Sequence, residues 1–72
     1  MVWSKIMKEL RHKLLLSQTE MAALLNVSFA SINRYENGHH EPTIKVKRKV
    51  KSLCEENDIN IENFIREVKN EQ

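Results

Sequence analysis

Apolar residues recur at steps of three and four along most of the chain, and each run is bounded by residues that cap or stop a helix. Trp3, Ile6, Met7, Leu10 and Leu14 fall on one stripe, with Lys5, Lys8, Glu9, His12 and Lys13 on the other face, which predicts a first amphipathic helix opened by Ser4 as its cap. Ser17 followed by Glu20 reads as a capping box, in which the serine oxygen accepts from the Glu20 amide while the glutamate reaches back, and Leu16 and Met21 fall at the flanking staple positions. Met21, Ala22 and Leu25 then form the inner face of a second, short helix, and Asn26, tolerant of the left-handed conformation, ends it. Val27 plugs the corner, and Ser28 caps a third helix from Phe29 to Glu36, with Ile32 and Tyr35 inward and Asn37-Gly38 as its stop. After His39-His40-Glu41-Pro42 a fourth helix, capped by Thr43, places Val46, Val50, Leu53 and Cys54 on one side and Lys45, Lys47, Arg48, Lys49 and Lys51 around the rest. A fifth, capped by Asn60, buries Ile61, Phe64, Ile65 and Val68, with Ile59 just before it and Glu62, Glu67 and Glu71 outward.

Composition agrees with this all-α pattern. A chain of 72 residues forms one domain, 1–72, near the size at which a hydrophobic core alone can still hold a fold, and one Gly and one Pro leave little room for strands and turns. The stretch from Ser17 to Gly38, two short helices joined by a tight turn, is a helix-turn-helix, and the other helices pack it. The lone Cys54 has no internal partner, which suits a reducing compartment, and its place among apolar residues makes it a small core side chain. No run approaches the ~18 apolar residues of a membrane span. The opening MVWSKIMKEL mixes charge with apolar residues where a signal peptide is continuously apolar, so the predicted location is cytoplasmic, with no membrane partner. Residues 1–54 hold ten Lys and Arg against four Glu, a net +6, while residues 55–72 hold two against six acids, a net −4. The basic part contains the helix-turn-helix, the footprint of a nucleic-acid face with a solvated or partner-facing tail, although ordinary solvated helix faces give the same count. With no glycine-rich phosphate loop and no nucleophile beside a base, the chain is not read as an enzyme, and neither catalytic residues nor a cofactor are expected. His39 and His40 are adjacent and lack a Cys or acidic cluster to complete a metal site, so no metal is expected. Arg11 sits beside the apolar stripe of the first helix, where a charge is costly unless paired.

The runs SQTEMAALL, NVS and SINRYENG, in that order and spacing, resemble the lambda-repressor and Cro family of helix-turn-helix domains. The resemblance implies a compact five-helix domain whose third helix, at about 28–36, enters the major groove of double-stranded DNA while the second lies across the backbone. On that match Phe29, Ala30, Asn33 and Arg34 face the base edges: Arg34 suits guanine, Asn33 adenine, and Phe29 or Ala30 a thymine methyl. For Phe29 a contact within the domain or with a protein partner competes with this reading, and for Arg34 a surface ion pair. Gln18, Ser28, Ser31, Asn37 and Lys45 are the implied phosphate contacts, which fix register without reading sequence. The family also pairs an arginine at the place of Arg11 with a glutamate at that of Glu36, implying a partly buried ion pair. It often has glycine where this chain has Leu15, so either the leucine adopts a left-handed conformation at ~1–2 kcal/mol of strain or the turn is wound differently. The implied function is a sequence-specific transcriptional regulator, a repressor occupying an operator as a homodimer that associates through the acidic C-terminal helix. The competing reading is an antitoxin that also masks a toxin, or an adaptor that keeps the fold for protein contacts alone.

Overall fold

The computed structural model of the protein describes residues 2–64. Four helices follow one another: α1 (Val2–Lys13), α2 (Gln18–Leu25), α3 (Phe29–Glu36) and α4 (Ile44–Glu56). Helical backbone resumes at 61–64, where the Asn60 side chain accepts from the Glu62 amide at 2.9 Å, so the expected fifth helix starts at its expected cap. Its Ile65, Glu67, Val68 and Glu71 lie outside the described residues. No strand occurs among the described residues, and the all-α class is the observed one.

The starts of the helices follow the capping chemistry of the sequence. Ser17 accepts from the Glu20 amide at 3.1 Å while the Glu20 carboxylate accepts from the Ser17 amide at 2.9 Å, a complete capping box. Those bonds hold the Glu20 carboxyl below its ordinary pKa. Ser28 accepts from Ser31 at the head of α3, and Thr43 from Val46 at the head of α4. One expected cap is wrong. Ser4 lies inside the first turn of α1, which begins at Val2; the apolar stripe already includes Trp3, and extending the helix back places it against the core.

The ends share one device. Leu15, Asn26, Gly38 and Asp58 all carry positive φ, of 57°, 57°, 74° and 60°, each just past the end of a helix. At Leu15 the next amide reaches back, Leu16 N to Arg11 O at 3.0 Å, and the same bond recurs from Val27 to Ala22, His39 to Arg34 and Ile59 to Cys54. This six-to-one bond closes the last turn with a left-handed residue, usually glycine. Only one of the four is glycine here, so the chain turns left-handed at three residues that carry a Cβ. Asn and Asp tolerate this; leucine does not. Leu15 is 89% exposed, so its side chain recovers almost nothing for the strain. Replacing it by glycine is therefore expected to stabilise the domain by about 0.5–1 kcal/mol, the relieved strain exceeding the extra freedom of the unfolded chain. Equilibrium urea unfolding of Leu15→Gly checks this, and a loss of stability would contradict it.

Ile6, Met7, Leu10, Met21, Ile32, Val50 and Cys54 are fully buried, so all four helices contribute to one core, with Leu14, Leu16, Val27, Ile59, Ile61 and Phe64 packed against it. Burial pushes the Cys54 thiol up to about 11, with Glu55 adding to the effect, so it stays a neutral apolar side chain at pH 7. Trp3 is half-buried beneath the Lys47 ammonium, 5.3 Å from the ring centroid. No helix among the described residues is long and apolar enough to cross a membrane.

Candidate nucleic-acid interface

Helix α3 has two unlike sides. Ile32 and Tyr35 face the core, with the Glu36 side chain buried beside them at 3% exposure, while Ala30 and Arg34 are exposed and Phe29 is 51% exposed. Asn37, at the C-cap, is exposed as well, and Asn33 is half-buried between the two sides. Ser28 is exposed and Ser31 half-buried, their hydroxyls 2.9 Å apart, so the head of the helix presents hydroxyls and amide ends. A hydrophobic contact of Phe29 within the domain does not account for its exposure, since about half of the residue meets solvent. Arg34 makes no salt bridge among the described residues, which leaves its guanidinium available.

Two features position this ridge. The first is the Arg11–Glu36 pair, which joins α1 to the end of α3. Arg11 Nε donates to Glu36 Oε2 at 2.7 Å and Nη2 to Oε1 at 3.0 Å, a two-point contact, and Nη1 donates to the Leu16 carbonyl at 3.1 Å. Such parallel charge-assisted bonds fix orientation as well as distance. Burial alone raises the Glu36 carboxyl, but the bonds from Arg11 and Gln18 outweigh it and hold the group below its ordinary value. The same bond raises Arg11 further. Among the described residues every buried side-chain nitrogen and oxygen has a hydrogen-bond partner.

The second is a line of amides across the top of α2 and α3. Gln18 Nε2 donates to Glu36 Oε1 at 3.2 Å, Asn33 Nδ2 donates to Gln18 Oε1 at 3.4 Å, and Asn37 Nδ2 donates to Asn33 Oδ1 at 3.1 Å. Three residues expected to face DNA are thus bonded to one another, a link the sequence reading missed. The Asn33 and Asn37 spacing of four could have shown the last bond, but the bonds through Gln18 join distant positions and leave no local trace.

Helix α4 contributes a basic edge. Lys45 and Lys49 are exposed and border a cleft of about 230 Å³ formed with Leu25, Asn26 and Val27, so they flank the turn between α2 and α3. Lys47 is committed elsewhere, at 3.1 Å from Glu41 and over Trp3. His40 stacks on Tyr35, with centroids 6.3 Å apart and planes inclined at 21°, and His39 is exposed. Among the described residues no group of three His, Cys, Asp or Glu side chains could hold a metal ion.

Comparison with curated proteins and with solved structures returns no match. A helix-turn-helix family profile matches residues 7–50 of the 72, a span running from α1 into α4 and containing both bonded networks. The chain therefore belongs to the helix-turn-helix family of the lambda-repressor and Cro type, a family of DNA-binding regulatory domains.

Proposed function

We propose that this protein is a sequence-specific double-stranded DNA-binding transcriptional regulator, a cytoplasmic repressor that occupies an operator by inserting α3 into the major groove. The observation that carries the reading is the exposed edge of α3, where Phe29, Ala30 and Arg34 stand clear of the core and Asn33 borders them. A helix about 10–12 Å across fits the major groove, and these four side chains match what base edges offer. Arg34 donates two bonds to guanine, Asn33 pairs with adenine, and Phe29 and Ala30 meet thymine methyl groups. Gln18, Ser28, Ser31, Asn37 and Lys45 hold phosphates and so set the register. Residues 1–72 act as one unit, and two copies joined through the C-terminal helix read half-sites about one turn of DNA apart, ~34 Å.

Selection from a pool of random duplexes tests the reading. The full chain is expected to enrich a two-fold related sequence. Arg34→Ala should lose one G·C preference, at a cost of about 1–3 kcal/mol in discrimination, whereas Lys45→Ala should weaken all duplexes alike. A pool that emerges unenriched, with Arg34→Ala indistinguishable from the parent, would rule the reading out.

A further inference from the structure

The amides of Gln18, Asn33 and Asn37 are bonded in one direction only, and the direction is set by Glu36. A carboxylate can accept hydrogen bonds but not donate them. Because Glu36 Oε1 accepts from Gln18 Nε2 at 3.2 Å, the Gln18 amide must turn its NH₂ to Glu36 and its oxygen away. That oxygen accepts from Asn33 Nδ2 at 3.4 Å, and Asn33 Oδ1 in turn accepts from Asn37 Nδ2 at 3.1 Å. A free amide can be turned over without change of shape. Here each reversal sets oxygen against oxygen, first of all at the carboxylate, which Arg11 holds in place by two bonds.

The consequence falls on Asn33. Its amide has two N–H groups and two acceptor positions on oxygen, and the network uses one of each. One donor and one acceptor remain, the pair that adenine matches with N7 and its N6 amino group in the major groove.

We propose that Glu36 and Gln18 are positioning residues for base selection: by fixing which way the Asn33 amide points, they set its preference for adenine. The inference rests on the DNA-reading face proposed above and adds to it a cause, inside the protein, for one position of the operator. Gln18 then does more than hold a phosphate, and the Arg11–Glu36 pair does more than tie two helices together.

The test takes the duplex enriched by the full chain and measures binding to its single-base-pair variants by fluorescence anisotropy. Asn33→Ala should lose about ten-fold discrimination at one A·T pair, which identifies the base it reads. Gln18→Met leaves the Arg11–Glu36 pair whole and should lose a similar factor at that same pair, with no further loss when combined with Asn33→Ala. Asn37→Ala, which frees the other end of the Asn33 amide, should lose part of the discrimination there, and this second variant decides the matter if Gln18→Met melts early by circular dichroism. Uniform weakening by Gln18→Met and Asn37→Ala, with the A·T preference intact, overturns the positioning role alone. Coupling at a G·C pair overturns the assignment to adenine. A pool without enrichment overturns the DNA-reading face, and this inference with it.

Discussion

Replacing Arg11 by Met is expected to lower the thermal midpoint at pH 7 by about 15–30 °C, the counterpart of ~3–5 kcal/mol in a domain of this size. The loss is large because the variant keeps the Glu36 carboxylate at 3% exposure and removes the two bonds that made its burial tolerable. Domains below ~70–80 residues rarely hold more than 3–5 kcal/mol in their core, so most molecules should then be unfolded near 37 °C. The effect has a pH signature. In the parent, Glu36 titrates below its ordinary value of 4.5, so its contribution is fully present above that value and is lost as pH falls through the lower folded pKa. In Arg11→Met, burial acts without the guanidinium, the Glu36 carboxyl moves up, and acid relieves the stranded charge. The gap between the two proteins should therefore begin to narrow above 4.5, as the raised Glu36 carboxyl of the variant takes up its proton, and go on narrowing below that value as the parent loses its own contribution. The double change Arg11→Met with Glu36→Leu should recover most of the stability, since an apolar pair of similar volume is often no worse than a buried ion pair. Circular dichroism melts between pH 3 and pH 7 test all three statements. A midpoint that does not move at pH 7 would show that the pair contributes nothing, and a gap that ignores pH would show that the loss does not come from the Glu36 charge.

That pair also shows what can be read from the chain and what cannot. Each of Ser17, Ser28, Thr43 and Asn60 is a cap whose partner lies two or three residues on, and the structure uses all four as expected. Bonds of such short range are written locally. Ser4 misled for the same reason: a cap in sequence is only an offer, and at α1 the burial of Trp3 and Ile6 extends the helix past it. Leu15 could not be settled from residue types, because ~1–2 kcal/mol of backbone strain competes with packing on either side. In the fold, Leu14 and Leu16 both reach the core and Leu15 between them is turned out, so tertiary burial of the neighbours decides its backbone. The exposed edge of α3 was legible from helical spacing once Ile32 and Tyr35 were placed inside. The bonds from Gln18 to Glu36 and Asn33 were not, since no periodicity links residues on different helices. The same holds for Lys47, grouped with the solvated cations by spacing but drawn to Glu41 and Trp3 by the way α4 lies against α1.

Raising salt from 50 to 200 mM should weaken binding to the enriched duplex about a hundred-fold. Only cations that neutralise phosphates release counterions, so the uncharged contacts proposed for Gln18, Ser28, Ser31 and Asn37 should add affinity without salt dependence. Lys45 and Lys49 are the exposed cations beside the turn between α2 and α3, whereas the guanidinium of Arg34, exposed on α3, is assigned to a base edge and not to a phosphate. Lys47 is left out of the count because Glu41, 3.1 Å away, already neutralises it. Two lysines in each of two protomers give about four neutralised phosphates, and a slope of roughly −0.9 per phosphate gives the hundred-fold change over a four-fold rise in salt. Lys45→Ala removes one cation from each protomer, so the slope should become shallower by about two in a dimer and by about one in a monomer. The single measurement thus reports the charge on the face and the number of copies that present it. Titrations of Gln18→Met supply the contrast: affinity should drop while the slope stays, because an amide has no counterion to displace. A slope near zero in the parent would mean that these lysines do not approach phosphates, and the basic edge of α4 would then be a solvated surface.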